Sequence, residues 1–565
     1  MIQRILTTLF ILFIFSFFFT ICQGIYAEER ANNIYGIHLA QPHIEDIEAS
    51  ARLVNSGEGD WGYVTVVIQE DDQKKEKWQE VFDKMRKLHL IPIVRIATKP
   101  VGAQWRKPAK EDTLGWVDFL SSLNWVVKER YIVLFNEPNH ANEWGGAVDV
   151  PHYKEVALYF AQKLKEKNPD FFVMLAGMDA SAPHAPPNYY DEAQFLEEVI
   201  GEDAEVWNKL IDGIASHSYA NPGFAGSPNG WGRGTVRTYA WEIELFRSFG
   251  IKELPVFITE TGWSRKALGE TGTASAFQTA YQSVWESDSR IRAVTPFVLN
   301  YQGEPFLQFS WKRFDSPEFY EQYHTVQSLP KIKGNPVQIQ EGALWADLPT
   351  ALTEKSTFHF SLYVRNTGQA IWSHEEGYRI EVGGLSSNAY MIGDIPTVLP
   401  QEDEVIDLFV NTASLSTGQT VTFQMMKGEE PILTTKPWMF ELLALPKLDI
   451  RVSLYPKFVS NGDNFELQLF NEREEVVFRK QGIRVQKGSG SVEQVRNIAL
   501  GKRYRAVLLK ENYLPRQEYI VFSTGSAQIS FRKMYPLDLN RDGRFSFQDV
   551  STLFRTPSLF NLLVP

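Results

Sequence analysis

Eight short apolar runs, each followed by an amphipathic stretch, constrain this chain more than any other feature. The runs cover residues 34–39, 63–68, 91–97, 131–136, 172–177, 213–219, 256–260 and 293–299. Amphipathic stretches lie between them, at residues 77–88, 113–128, 152–167, 191–200, 237–249 and 274–286. Apolar runs four to eight residues long cannot alternate faces, so both of their faces must be buried. With helical spacing between them, they read as strands of a parallel sheet covered by crossover helices. Eight such units within residues 30–335 predict a (β/α)8 TIM barrel. A doubly wound sheet is the weaker alternative, because no glycine-rich phosphate loop follows the first run.

Past Pro336 helical periodicity stops. Residues 358–364, 378–382, 405–410 and 420–425 alternate apolar and polar, which predicts half-buried antiparallel strands. Residues 336–445 therefore read as one β-sandwich. Residues 446–533 read as a second, smaller all-β sandwich, punctuated by Asn461-Gly462, Lys487-Gly488-Ser489-Gly490 and Ser523-Thr524-Gly525. The run Asn366-Thr367-Gly368-Gln369-Ala370-Ile371-Trp372 resembles a signature of Ig-like accessory domains, in which the Trp plugs the core. Residues 534–565 form a short C-terminal segment.

Two of the barrel runs end on glutamates. Glu137 closes Val133-Leu134-Phe135-Asn136-Glu137-Pro138, and Glu260 closes Val256-Phe257-Ile258-Thr259-Glu260-Thr261-Gly262-Trp263. A carboxylate at the C-terminal tip of a buried strand packs poorly and reacts well. Glycoside hydrolysis needs two of them, one to protonate the leaving oxygen and one to face the anomeric carbon. Counting runs puts Glu137 on the fourth strand and Glu260 on the seventh, roughly across the barrel mouth. The bland alternative makes them a helix-terminal charge and a solvated loop acid.

An Asn-Glu-Pro closing strand four and a glutamate closing strand seven are similar to the clan A glycoside hydrolases. The resemblance implies a retaining O-glycosidase acting on β-linked polysaccharide or oligosaccharide, with no catalytic cofactor. It makes Glu137 the acid/base and Glu260 the nucleophile, with Asn136 donating to the sugar 2-OH beside the scissile bond. His217 and Tyr219, at the end of strand six, would support the nucleophile. Arg95 and His38, at the ends of strands three and one, would belong to the same mouth, with Asp179 a weaker candidate. Each could instead be a satisfied structural residue. Trp263, directly after the nucleophile, is the leading sugar platform. Trp105, Trp144 and Trp231 stand even between platform and core. Many clan members carry a Trp at the end of strand eight; this chain lacks it, so Tyr301 or Trp311 would substitute. The rival reading is a non-catalytic surface protein that binds glycans with a degenerate barrel.

Near the C-terminus, Asp538, Asn540 and Asp542 occupy positions 1, 3 and 5 of a calcium loop. Gly543 is at 6, the Arg544 carbonyl at 7 and Asp549 at 12. The spacing resembles one dockerin or EF-hand loop, which implies structural Ca²⁺ and a possible protein partner docking there. Position 12 is Asp instead of the usual Glu, and dockerins generally carry two loops.

At the other end, Arg4 followed by the apolar run 5–21 reads as an export signal within residues 1–27, or alternatively as an uncleaved membrane anchor. Either way the protein is expected to be secreted or held at the cell surface. The single cysteine, Cys22, lies in that segment, so no disulfide is expected in the remainder. The formal net charge of -12 argues against a nucleic-acid partner, while a carbohydrate substrate is compatible with it.

Overall fold

The computed structural model describes residues 33–523 and 525–564. The segment expected to be an export signal, with Cys22, lies outside the described residues. The chain divides into two compact units, Met1–Ile339 and Gln340–Pro565. Among the described residues no helix is long and apolar enough to cross a membrane.

The first unit carries eight parallel strands: β1 (Gly36–Leu39), β2 (Gly62–Gln69), β3 (Leu90–Ala97), β4 (Arg130–Leu134), β5 (Phe171–Leu175), β6 (Ile214–His217), β7 (Val256–Glu260) and β8 (Ile291–Val294). β1 to β5 pair in sequence order, and so do β6 to β8. Two parallel bridges, Met174 to Gly213 and Tyr35 to Val294, join the two sheets and close the ring. The expected barrel is therefore present. Its strands are buried almost throughout; in β3 only Arg95 departs from full burial. Tyr63, Tyr131, Phe172 and Phe257 interlock inside the barrel with ring centroids 5.0–6.2 Å apart, so the interior is packed and is not a pore.

Around the ring lie α1 (Ile44–Val54), α2 (Lys75–Lys87), α3 (Thr113–Ser122), α4 (Val150–Lys167), α5 (Glu192–Ile200), α6 (Ala204–Leu210), α7 (Thr238–Ser248), α8 (Arg265–Ala280) and α9 (Glu321–Ser328). Asp149, Asp191 and Ser264 cap α4, α5 and α8 by accepting from backbone N–H groups of the first turn. Several boundaries differ from the sequence expectation, and two of them show why. The 113–128 helix stops at Ser122, because the Asn124 backbone is drawn aside by Gln79 and Arg86 of α2. The last strand stops at Val294, where Thr295 Oγ1 turns to Thr65 Oγ1 at 2.8 Å and to the Thr259 carbonyl at 2.9 Å.

In the second unit, an antiparallel sheet of Gly342–Ala346, Thr357–Asn366, Asp403–Asn411 and Tyr390–Ile392 shares an apolar core with Tyr378–Gly383, Thr420–Lys427 and Glu430–Thr434. Trp372 is fully buried in that core, and its Nε1 donates to Gln340 Oε1 at 3.2 Å. A second core, which includes Leu448, Phe465, Leu467 and Leu508, lies under the strands of residues 447–530. Near its end lie α10 (Phe547–Arg555), capped by Ser546, and a 3-10 helix, Pro557–Leu563.

Candidate active site

A cavity of about 710 Å³ opens at the C-terminal ends of the barrel strands. Glu260, the last residue of β7, is its most tightly held group. Arg95 Nη1 donates to Glu260 Oε1 at 2.6 Å, and the Tyr219 hydroxyl donates to Oε2 at 3.0 Å. Burial pushes this carboxyl up, but His217, Arg95 and the Tyr219 bond outweigh it and hold it down at about 2. Glu260 is therefore ionised. His38 Nε2 lies 3.8 Å from Glu260 Oε1, with neither ring nitrogen hydrogen-bonded among the described residues. Burial, then the Arg95 charge, pushes His38 down to about 3, so it faces Glu260 as a neutral ring.

Glu137 follows β4 on strained backbone. Phe135 has φ 74° and Glu137 φ 32°, a region L-residues rarely occupy. Glu137 N donates to the Gly177 carbonyl at 3.1 Å, which fixes the turn. The side chain points at His217, whose Nδ1 lies 2.7 Å from Glu137 Oε1. This corrects the expected role of His217: its hydrogen bond goes to Glu137, and it reaches Glu260 only through its charge. Burial pushes the imidazole down, but Glu260 and Glu137 more than compensate, and its pKa is raised. Gly177 makes this placement possible, since a Cβ there would sit 2.3 Å from His217 Cδ2. Side-chain atoms of Glu137, His217 and Glu260 come within 4.8 Å of one another. That cluster could be read as a metal site, but the Arg95 guanidinium already sits against Glu260, where a cation would have to bind.

Asn136 joins the network. Arg95 Nη1 also donates to Asn136 Oδ1, and Asn136 Nδ2 donates to Glu143 Oε2 at 3.1 Å. Glu143 lines the cavity on a one-turn helix, Ala141–Glu143, and was not singled out in the sequence. Burial, then the Glu137 charge, pushes it up to about 7. Its only sequence signal is its place in the loop after strand four, six residues past Glu137. Asp179 lines the cavity too and pairs with His140 at 2.9 Å.

The aromatic lining differs from expectation. Trp263 is not a platform: its ring is buried against Phe277 and Trp285, 4.9 and 6.3 Å away, and its Nε1 donates to the Gly226 carbonyl. Trp311 is buried as well, Trp144 is almost wholly buried at the cavity wall, and Trp231 lies exposed beneath Arg237. Trp105 and Tyr301 do line the cavity, together with Phe224, Phe297, Phe306 and Phe309. Phe297 stands near the end of strand eight, with its ring 5.2 Å from that of His38.

The C-terminal loop lies in the second unit. Asp538 Oδ1 accepts from Gly543 N at 3.2 Å, Asn540 Oδ1 from Asp542 N at 3.2 Å, and Asp542 Oδ1 from Arg544 N at 2.9 Å. Both Asp549 oxygens accept from backbone N–H groups, of Leu539, Asn540 and Ser546.

No family model matches the chain, and no curated protein matches it. Among solved structures it is similar to a glucosidase from Croceicoccus marinus, with 11% identity and a TM-score of 0.40 over 83% of this chain and 95% of that one. An endo-beta-1,4-glucanase from Xanthomonas axonopodis pv. citri matches at 10% identity and a TM-score of 0.37, over 52% of this chain and 97% of its own. A glycoside hydrolase family 30 subfamily 8 xylanase from Clostridium acetobutylicum matches at 10% identity and a TM-score of 0.35, over 83% and 96%.

Proposed function

We propose that this chain is an exported, retaining O-glycoside hydrolase acting on β-linked, uncharged glycans without a catalytic cofactor. The supporting observation is the approach of Glu137 and Glu260, on opposite sides of the mouth, to within 4.8 Å. Retaining enzymes hold their two carboxyls about 5–5.5 Å apart, whereas inverting enzymes need about 6.5–9.5 Å to admit a water.

In the first step a Glu260 oxygen attacks the anomeric carbon as the bond to the leaving oxygen breaks. The leaving oxygen takes the proton shared by Glu137 and His217. A glycosyl ester on Glu260 results. In the second step Glu137 removes a proton from water, the water oxygen bonds to the anomeric carbon, and Glu260 departs as carboxylate. Arg95 and Tyr219 keep Glu260 ionised before attack and stabilise it as it leaves.

The lining favours an uncharged sugar. Asp46, Glu137, Glu143, Asp179 and Glu260 face the cavity, and among the described lining residues Arg95 is the sole Lys or Arg. Arg95 is engaged by Glu260 and Asn136, so a uronate or sulfate would find no free Lys or Arg among the described lining residues. Trp105 and the Phe297, Tyr301 and Phe306 group would stack against pyranose faces.

The test is mechanism-based trapping with aryl 2-deoxy-2-fluoro-β-glycosides. The expected result is one added glycosyl mass on the peptide containing Glu260. Label on another residue, or turnover of wild-type magnitude by Glu260→Ala, would reject the assignment.

A structural Ca²⁺ in the C-terminal loop is supported by the order of its oxygen donors along the chain. Its donors are hard oxygens from Asp538, Asn540, Asp542 and the Arg544 carbonyl, with Asp549 tied to loop amides at the back. Burial, with the Asp549 and Asp542 charges adding to it, pushes the Asp538 carboxyl up; a bound cation would relieve that repulsion. A loop ordered in this way would serve as the docking point for a protein partner.

A further inference from the structure

Asn136 is held at both ends of its amide. The acceptor end takes a hydrogen bond from Arg95 Nη1, and the donor end gives one to Glu143 Oε2 at 3.1 Å. Those partners settle which end of the amide is which, because a guanidinium only donates and a carboxylate accepts. Glu143 takes one of the two Nδ2 hydrogens and leaves the other for a substrate oxygen. The anchor is itself fixed: Glu143 N donates to the His140 carbonyl at 3.1 Å, and His140 N to the Glu137 carbonyl at 2.8 Å. The turn carrying the anchor is thus built on the backbone of the acid/base residue.

We propose that Glu143 is a positioning residue that aims the Asn136 amide at the sugar hydroxyl next to the scissile bond. It thereby sets the enzyme's dependence on that hydroxyl. The proposal rests on the glycosidase reading above. Arg95 pins only Oδ1, so without Glu143 the amide can swing about that contact and its donor loses direction. A third carboxyl beside Glu137 and Glu260 is electrostatically unfavourable. Burial, then the Glu137 charge, pushes Glu143 up to about 7. A role in aiming Asn136 accounts for keeping it there.

The experiment compares Glu143→Ala and Glu143→Gln in the full chain, using a nitrophenyl β-glycoside that the wild type cleaves and its 2-deoxy counterpart. Glu143→Ala should lose at least about tenfold in kcat/KM on the 2-hydroxy substrate, mainly in kcat. Its loss on the 2-deoxy substrate should be under about twofold, so the preference for the hydroxyl collapses. Glu143→Gln keeps an acceptor for Nδ2 and should restore most of that preference. In an Asn136→Ala background, Glu143→Ala should have little further effect. If Glu143→Ala does not fold, as judged by its thermal transition, Glu143→Leu replaces it in the same comparison. Equal losses on both substrates, or failure of Glu143→Gln to restore the preference, would overturn the proposal. Absence of wild-type turnover and of any trapped adduct would instead overturn the glycosidase reading beneath it.

Discussion

Arg95 Nη1 lies 2.6 Å from Glu260 Oε1 and donates to Asn136 Oδ1 as well, so one guanidinium from β3 ties the carboxylate ending β7 to the amide following β4. Arg95→Met should lower kcat/KM by about 10²–10³. It should also move the acid limb of the pH profile upward. The sign follows from the Glu260 carboxyl, which is held low partly by this cation and would protonate at higher pH without it. A pH series of kcat/KM on an aryl glycoside checks both effects.

Tyr219→Phe removes the 3.0 Å bond to Glu260 Oε2 and leaves Arg95 in place. A hydrogen bond to a charged group is worth about 1.5–3 kcal/mol, so activity should fall roughly ten- to a hundredfold. The acid limb should move in the same direction as in Arg95→Met but by less. An unchanged profile would remove Tyr219 from the support of Glu260.

Trp105 and Trp263 should respond in opposite ways. Trp263→Ala should cost about 3–5 kcal/mol of barrel stability, since it empties a buried site beside Phe277 and Trp285. Trp105→Ala should leave the thermal transition in place and raise KM roughly threefold to tenfold, as a lost stacking face would. Thermal unfolding and steady-state kinetics on both variants separate the two.

Glu192 and Glu242 form a buried carboxyl pair outside the mouth, behind β5 and β6. Burial raises both pKa values, Glu192 all the more through the neighbouring Glu242. A carboxyl whose folded pKa is raised binds its proton more tightly in the folded state. Its stabilising effect is full at acid pH and is lost as pH climbs from the unfolded value of about 4.3 through the folded one. Glu242→Gln should therefore lose less stability than the wild type as pH rises above about 5. A difference of about 2–4 °C in Tm would correspond to about 1 kcal/mol. Parallel loss in both proteins would refute the account.

Ca²⁺ added to the protein should bind with a Kd between about 10⁻⁷ and 10⁻³ M. At a hundredfold excess over Kd it should stabilise the segment by about 2.7 kcal/mol. EDTA should reverse the effect, and Asp538→Ala with Asp542→Ala should abolish it. Calorimetric titration provides the check, and unaltered binding in the double variant would place the ion elsewhere.

The barrel and the positions of Glu137 and Glu260 were legible in the sequence because they depend on local pattern. A strand buried on both faces must be apolar along its length, so a terminal glutamate stands out, and counting eight strands places β4 across from β7. The limits of α3 and β8 were not legible, because Asn124 is drawn aside by Gln79 and Arg86 of α2, and Thr295 by Thr65 of β2. The direction of each side chain beyond a strand end was equally hidden. Trp263 turns into the core, while Trp105, in a distant loop, faces the cavity. The sequence alone determined which acids end the strands. The tertiary structure decided their partners, setting His217 on Glu137 and Glu143 on Asn136. The His217 contact joins the ends of different strands, and no spacing along the chain encodes the distance between strand ends until the barrel has closed; Glu143 meets Asn136 within one loop, whose path the turn after Glu137 decides.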